Sequence, residues 1–474
     1  MELLERLSKE KVIVGAMFLV VLLLLLHLFF IHQGGLLLWD EPVYLANSKD
    51  ILSTSFFTED FRFPLLPYFI AGVWFFTGES ILAAQLLVVL FTLLTVFIFY
   101  KLTKFFFPEE KYRLLATFLF AFSYPIIFWG FRIYADIPAV FFALLSVYLF
   151  FLSDILAIEK RPKIKAFLFF SGVFAGLAFL MRYSVILIPG IIGIFIIYKK
   201  QFKSLLYFVL GGFIAILPWL IGNYLIYGNI MGGLLAQANI ISDYTFYQSP
   251  LILLKSMLEM FSFSLIFLIG FFLLIVREGK RNHNIWIILT IFLTNLFYHL
   301  FFVNLKLARY VLVLLPFIVL MIVLGFKEII ELEKYKKNNV ISGIFLALLI
   351  IPIIFSGIFT IMEINSYNLC TKNGAIMNSV EYIVENTMEG DRIISNSWIH
   401  YGYYGNLRAG SIWTDDIDFL INNLDPKYFI IIKYEDLEIS KEVFDESQLL
   451  NLEKEFIDEC GKEVYIYKNN LYSQ

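Results

Sequence analysis

Charged residues are scarce in this chain, and their scarcity excludes a soluble protein. Asp, Glu, Lys and Arg make up 16% of its 474 residues, whereas hydrophobic residues make up 60% and the mean hydropathy is +0.78. A soluble fold of this length carries more charge on its surface. The net charge is −3, and the basic residues are distributed among predicted inner membrane segments instead of forming a patch that would bind nucleic acid. The composition is typical of an integral membrane protein.

Cysteine and histidine are scarce too, which excludes a disulfide-rich scaffold and a recognisable zinc motif. The chain has two cysteines, Cys370 and Cys460, and five histidines. A disulfide between the two cysteines is permitted if they lie outside the cytoplasm, but the sequence does not show that they meet. The histidines have no metal-ligand spacing; they are His27, His32, His283, His299 and His400.

Long apolar runs are abundant, and their lengths predict a polytopic α-helical protein. A membrane-spanning helix needs about 20 mostly apolar residues, and about eleven runs approach that length. A shorter apolar run from Pro64 to Phe76 predicts a helix at the outer interface. The eleven runs lie at about 11–31, 80–100, 114–130, 135–152, 166–181, 184–198, 204–222, 253–276, 284–303, 310–326 and 340–362.

Lysine and arginine positions predict the orientation of these helices. If the N-terminus is cytoplasmic, the inner segments hold about 21 positive residues and the outer ones about six, as the positive-inside rule expects. The first run is longer than the apolar core of a signal peptide and lacks a small-residue cleavage site, so we predict a membrane anchor. The chain is therefore expected in the cell membrane, with a cytoplasmic N-terminus and an extracytoplasmic C-terminal part.

The composition changes after the last apolar run, which predicts two domains. Residues 1–362 form the membrane domain, and residues 363–474 form a small extracytoplasmic α/β domain. In the second domain the pattern predicts helices at 374–386, 417–423 and 449–459, and strands at 392–395, 427–433 and 463–468.

Three carboxylates at predicted outer ends of spans are candidate catalytic groups. Asp40 and Glu41 follow the first span, flanked by Trp39 and Tyr44, and Asp136 lies at the entrance of the fourth. A desolvated carboxylate with a charged neighbour is suited to act as a general base. The alternatives are that Asp40 only caps a helix from Glu41 to Ile51 and that Asp136 is a solvated boundary residue.

Three cations run against the positive-inside bias because they lie in short outer turns. They are Arg182, Lys306 and Arg309. Arginine forks and a lysine ammonium group would hold a lipid phosphate at the interface. The alternative is that these side chains extend to the outer lipid headgroups.

Six segments, in order, resemble the membrane glycosyltransferases of the GT-C superfamily. The nearest branch contains the protein O-mannosyltransferases and the lipid A aminoarabinose transferases, and the resemblance covers roughly Trp39 to Pro316. The segments are DEPVYLANSKDIL (40–52), RFPLLPYFIAGVWFFTGES (62–80), YADIPAVFF (134–142), GLAFLMRY (176–183), NYLIYGN (223–229) and KLARYVLVLLP (306–316).

The resemblance implies a reaction in which a sugar moves from a polyprenyl-phosphate carrier to an acceptor hydroxyl, with inversion, on the outer face of the membrane. The acceptor is a protein, a lipid or a glycan. Asp40 would deprotonate or orient the acceptor, supported by Glu41, although two adjacent carboxylates leave the identity of the base open. The lipid phosphate would be held by Arg182, Lys306 and Arg309. The remaining predicted cavity residues are Arg62, Arg132, Asp136 and Tyr310.

No cofactor or essential metal is expected, because fixed cations can stabilise a monophosphate leaving group. The Asp416-Ile417-Asp418 sequence lies beside a helix start and is interpreted as a cap. The chain departs from the aminoarabinose branch in having Arg62-Phe63-Pro64 where that branch has Lys-Pro-Pro, which leaves the donor sugar open.

Two other functions make different predictions for the same sequence. An oligosaccharyltransferase would carry a Trp-Trp-Asp type motif in its outer domain, and this chain does not. A transporter or flippase of polyprenyl-linked sugars is the alternative from another class, but it predicts charges near mid-membrane and an internal repeat. The aromatic residues Trp398, Tyr401, Tyr403 and Tyr404 would either stack on sugar rings or form a core, and the core is favoured.

Overall fold

The computed structural model describes most of the chain as helices followed by a small mixed α/β region. The described residues are 9–32, 36–52, 62, 64–153, 164–243, 249–278, 282–304, 306–332, 339–371, 374–388, 390–412, 414, 416–433 and 441–472. The α-helices up to residue 371 are α1 (Lys9–His32), α2 (Asp40–Ile51), α3 (Leu65–Thr77), α4 (Ile81–Thr103), α5 (Glu110–Ala121), α6 (Tyr124–Trp129), α7 (Asp136–Leu152), α8 (Ile164–Met181), α9 (Leu187–Tyr198), α10 (Phe202–Tyr227), α11 (Gly232–Asp243), α12 (Leu251–Phe261), α13 (Phe267–Glu278), α14 (His283–Phe301), α15 (Val311–Glu331) and α16 (Asn339–Thr371).

The helices confirm a polytopic α-helical membrane protein. Within the described residues, seven helical segments are long and apolar enough to cross a bilayer, and four shorter apolar helices accompany them. The eleven predicted runs all fall on helical segments. The run at 114–130 is divided between α5 and α6, because Pro125 has no N–H to continue a helix. The number of spans and the orientation stay predictions.

The chain divides into two compact units by its internal contacts. The helical unit contains residues 1–28, 61–66 and 85–361, and the mixed unit contains residues 29–60, 67–84 and 362–474. The mixed unit therefore includes α2, with Asp40 and Glu41, together with the C-terminal region. The domain boundaries 1–362 and 363–474 stay predictions.

The core of the helical unit surrounds α15. All residues from Val311 to Phe326 are buried, as expected for a helix that is apolar on every face. Glycines let its neighbours approach closely: a methyl group on Gly325 would collide with the backbone of Phe267 in α13. The pair α8 and α10 packs in the same way through Gly172 and Gly211. Small residues at such contacts are common where helices associate inside a membrane.

The mixed unit contains a five-stranded sheet with the order β2-β1-β3-β5-β4. Strand β1 is parallel to β2 and β3, whereas β5 is antiparallel to β3 and β4. All five residues of β3 are buried, because apolar side chains cover both faces of the sheet. The elements are α17 (Ala375–Asn386), β1 (Arg392–Ser395), α18 (Trp398–Tyr404), β2 (Arg408–Ser411), α19 (Ile417–Leu424), β3 (Tyr428–Ile432), α20 (Lys441–Asp445), β4 (Leu450–Ile457) and β5 (Glu463–Asn469).

One predicted element of this region is wrong. Residues 449–459 were expected to be helical, but Leu450–Ile457 is strand β4, paired antiparallel with β5. Its Leu, Glu and Lys residues have good helix propensity, and pairing with the neighbouring strand overrides that preference. Gly461 at φ 76° lies in the turn that joins the two strands. The predicted helices at 374–386 and 417–423 and strands at 392–395, 427–433 and 463–468 are confirmed, while α18, β2 and α20 were not predicted.

Cys460 is disulfide-bonded in this structure. The side chain of Cys370 lies outside the described residues.

The close contact of α8 with α10 predicts that Gly172→Ala is destabilising. The added methyl group would meet the Phe208 carbonyl, and backbone atoms would have to move, at a cost of roughly 1–3 kcal/mol. Gly190→Ala in α9 is the control, since its methyl group would meet open space. Thermal unfolding in detergent, followed by size-exclusion chromatography, should show a lower midpoint for Gly172→Ala alone. Equal midpoints would contradict this packing.

Candidate active site

Asp136 and Arg182 form a buried ion pair in the helical unit. Asp136 begins α7, and Arg182 is the first residue after α8, where the backbone becomes extended. The Arg182 Nη1 atom lies 2.7 Å from Asp136 Oδ1, and the Asp136 side chain is 1% exposed. A carboxylate this deeply buried needs a partner charge. The sequence placed both residues in one site but did not predict this pairing.

Aromatic rings cover three arginines of the same unit. The Arg182 guanidinium carbon lies 5.0 Å from the centre of the Tyr310 ring, and that of Arg309 lies 4.8 Å from the Tyr134 ring. Arg132 is fully buried, 4.5 Å from the Phe128 ring. Aromatic faces stabilise desolvated cations. The predicted residues Asp136, Arg182 and Tyr310 are therefore in one contiguous cluster.

Lys306 is a buried cation three residues before Arg309 in the chain. Its side chain is 3% exposed, and its ammonium group donates to the Val303 carbonyl. Burial lowers the pKa of Lys306. A phosphate bound beside this amine would favour its charged form again.

His299 is a buried polar residue that the sequence reasoning missed. Its Nδ1 atom lies 2.8 Å from the Asn295 carbonyl, and its ring centre lies 5.3 Å from that of Tyr310. Asn295 and His299 are four residues apart in α14, and both are buried. Two polar residues on one face of a membrane helix are a functional signal that could have been read from the sequence.

A cavity of about 280 Å³ lies in the helical unit. Two of its lining residues, Tyr183 and Asn304, are close to Arg182 and Lys306 in the sequence. Tyr183, which follows Arg182, shares a side-chain hydrogen bond with Tyr298. The cavity therefore combines aromatic faces with amide groups. Its lining residues are Tyr183, Leu234, Gln237, Ala238, Tyr298, Phe302 and Asn304.

The first turn of α2 presents Asp40 and Glu41 in the mixed unit. Glu41 is fully buried, whereas Asp40 keeps 8% of its surface exposed. The Leu38 N–H donates to Glu41 Oε2 at 2.8 Å, and the Glu41 N–H donates to the Leu38 carbonyl at 2.9 Å. Trp39 occupies the N-cap position, and Asp40 is the first residue of the helix. Glu41 therefore stabilises the start of α2 through its bond to the Leu38 N–H.

The other predicted residues are placed as follows. Arg62 is half-buried in the helical unit, between segments that lie outside the described residues. Asp416 caps α19, because its Oδ1 accepts from the Phe419 N–H at 2.9 Å. Tyr401 and Tyr403 are buried, in agreement with the core interpretation. Among the described residues, no three or more His, Cys, Asp or Glu side chains form a metal-binding group. The roles of all these residues stay predictions.

The chain is similar to known proteins in part of its sequence and in nearly its whole fold. Residues 62–221 match a family model described as dolichyl-phosphate-mannose-protein mannosyltransferase. A sequence search of curated proteins finds no match. The fold is similar to ArnT from Cupriavidus metallidurans bound to undecaprenyl phosphate, with a TM-score of 0.64 and 10% identity, over 96% of this chain and 97% of that one.

The oligosaccharyltransferase AglB from Archaeoglobus fulgidus, solved with an inhibitory peptide and a dolichol-phosphate, is also similar. The TM-score is 0.61 with 12% identity, over 88% of this chain and 69% of that one. At these identities the likeness shows the fold. The resemblance to the GT-C superfamily of membrane glycosyltransferases, of the aminoarabinose transferase and protein mannosyltransferase type, is confirmed.

Breaking the buried ion pair should destabilise the protein, and a second substitution should restore most of the lost stability. Arg182→Gln leaves the Asp136 carboxylate buried without its ion-pair partner, which costs about 3 kcal/mol or more. Adding Asp136→Asn removes the buried charge and should recover most of the loss. A thermal-unfolding double-mutant cycle measures this coupling. Additive effects of the two substitutions would contradict the pairing.

Proposed function

We propose that this chain, which has the fold of the GT-C membrane glycosyltransferases, transfers a sugar from a polyprenyl-phosphate donor to an acceptor hydroxyl on the outer face of the membrane. The observation that carries the proposal is the desolvated Arg182, paired with Asp136 and covered by the Tyr310 ring, in a chain whose fold is similar to that of ArnT solved with undecaprenyl phosphate. The transfer inverts the anomeric carbon, because the acceptor oxygen displaces the phosphate directly.

The cations bind the phosphate and stabilise it as a leaving group. When the glycosidic bond breaks, negative charge grows on the phosphate oxygens, and preorganised cations in a site poor in water stabilise that charge strongly. Arg182 and Arg309 offer planar donor forks, each already oriented by a tyrosine ring. Lys306 adds a point charge that bound phosphate keeps protonated.

Asp40 accepts the proton of the acceptor hydroxyl. Glu41 is fully buried and bonded to the Leu38 N–H, so it is committed to the start of α2. Asp40 is the more exposed of the two carboxylates and follows Trp39, whose ring is partly exposed. We therefore assign the base to Asp40 and a supporting role to Glu41.

The cavity lined by Tyr183 and Tyr298 takes the sugar of the donor. Its volume of about 280 Å³ is near the lower end of the range for small-molecule sites. Tyrosine rings can stack on a sugar face, while Gln237 and Asn304 can bond its hydroxyl groups. The acceptor is a hydroxyl of a protein, lipid or glycan.

The test is release of polyprenyl phosphate from polyprenyl-phosphate sugars by purified protein in lipid nanodiscs. Wild type should release it, and Asp40→Asn should lower the rate at least about a hundredfold, as expected for loss of a general base. Asp416→Asn is the matched control, because it makes the same change at a helix start where asparagine caps equally well. Lipid binding without turnover in wild type would favour a carrier or flippase instead.

The same assay tests the metal requirement. Because fixed cations stabilise the monophosphate leaving group, we expect EDTA to leave the rate unchanged. A rate lost in EDTA and restored by Mg²⁺ or Mn²⁺ would contradict the proposed leaving-group chemistry.

A further inference from the structure

The segment Leu36–Leu38, directly before α2, is held by hydrogen bonds on five consecutive backbone groups. The Leu36 carbonyl accepts from the Tyr367 hydroxyl at 3.1 Å. The N–H and carbonyl of Leu37 bond to side chains of α18, and those of Leu38 bond to Glu41. Buried backbone groups need hydrogen-bond partners, and this irregular segment takes most of them from side chains distant in the sequence.

Both groups of Leu37 are bonded by residues one turn apart on α18. His400 Nε2 lies 3.0 Å from the Leu37 carbonyl, and the Tyr404 hydroxyl accepts from the Leu37 N–H at 3.1 Å. The two rings are nearly parallel, at an angle of 7°. Positions i and i+4 lie on one face of a helix, so one face of α18 bonds both the N–H and the carbonyl of Leu37.

The bond pattern fixes the tautomer of His400. A carbonyl can only accept, so Nε2 carries the proton, and Nδ1 accepts from the Ser397 hydroxyl at 2.8 Å. Burial lowers the pKa of His400 to about 4. The ring is therefore neutral near pH 7, and the geometry of the donor is constant there.

We propose that His400 and Tyr404 are positioning residues for the transfer reaction: by holding Leu37 they fix Asp40, three residues along the chain. The inference rests on the proposed function of Asp40. Leu38 lies between Leu37 and Asp40 in the chain, and its N–H and carbonyl both bond to Glu41. A shift of Leu37 is therefore transmitted to the first turn of α2.

Packing supports the same connection. The Leu36 side chain belongs to the apolar core that contains Ile393 and Tyr401 of the C-terminal region. The Trp39 and His400 rings form an edge-to-face pair, with ring centres 6.3 Å apart. The segment before α2 is thus fixed by hydrogen bonds and by side-chain packing with residues 331 to 367 positions away in the chain.

Matched tyrosine variants on α18 test the proposal. Tyr404→Phe removes the acceptor of the Leu37 N–H, whereas Tyr401→Phe removes a buried hydroxyl bonded to Ser379 Oγ at 2.7 Å. Misplacing a catalytic group by about 1 Å can cost a hundredfold in rate. We expect Tyr404→Phe to lower kcat about ten- to a hundredfold with an unchanged KM for the donor, and Tyr401→Phe to keep the wild-type kcat.

His400 variants separate positioning from loss of packing. His400→Leu removes the donor to the Leu37 carbonyl, whereas His400→Gln keeps an N–H donor on a side chain of similar reach. We expect His400→Leu to lower kcat about ten- to a hundredfold. His400→Gln should recover most of that loss.

Hydrogen exchange provides a readout that does not depend on turnover. The amides of residues 36–41 should exchange faster in Tyr404→Phe than in Tyr401→Phe. Equal exchange, or equal kcat in the two variants while Asp40→Asn is inactive, would overturn the positioning role alone. An inactive wild type would instead refute the proposed function, and the positioning role with it.

Discussion

Burying a charged side chain in an apolar interior costs several kcal/mol unless another group compensates the charge. This constraint explains the arrangement of charged residues in the helical unit. The Asp136 carboxylate is matched by Arg182, and Arg182 in turn is covered by the Tyr310 ring. Arg309 lies against the ring of Tyr134. In the proposed function, each contact would fix a cation before the phosphate binds, so that little reorganisation would remain.

In the mixed unit, the Asp40 carboxylate lies at the end of a short irregular segment, and its position depends on how that segment is held. An irregular segment without fixed contacts would leave the position of Asp40 variable. Here the segment before α2 has backbone groups bonded to Tyr367, His400 and Tyr404, and its Leu36 side chain joins the core beside the sheet. The C-terminal region thereby acts as a scaffold for the segment before α2.

The sequence predicted the helices well because a bilayer imposes a strong rule: an apolar segment must satisfy its backbone groups internally, so long apolar runs are helical. It failed at β4, where the residues favour a helix and the cross-strand partner decides. It identified Asp136 and Arg182 as site candidates from their predicted face. Their pairing, and the bond from His400 to Leu37, join residues far apart in the chain, and local patterns contain no signal for such contacts.

The most direct test of the central claim is an experimental structure of the Asp40→Asn variant with a bound polyprenyl-phosphate sugar. The account predicts that the phosphate contacts Arg182 or Arg309. A donor phosphate bound by other residues would contradict it.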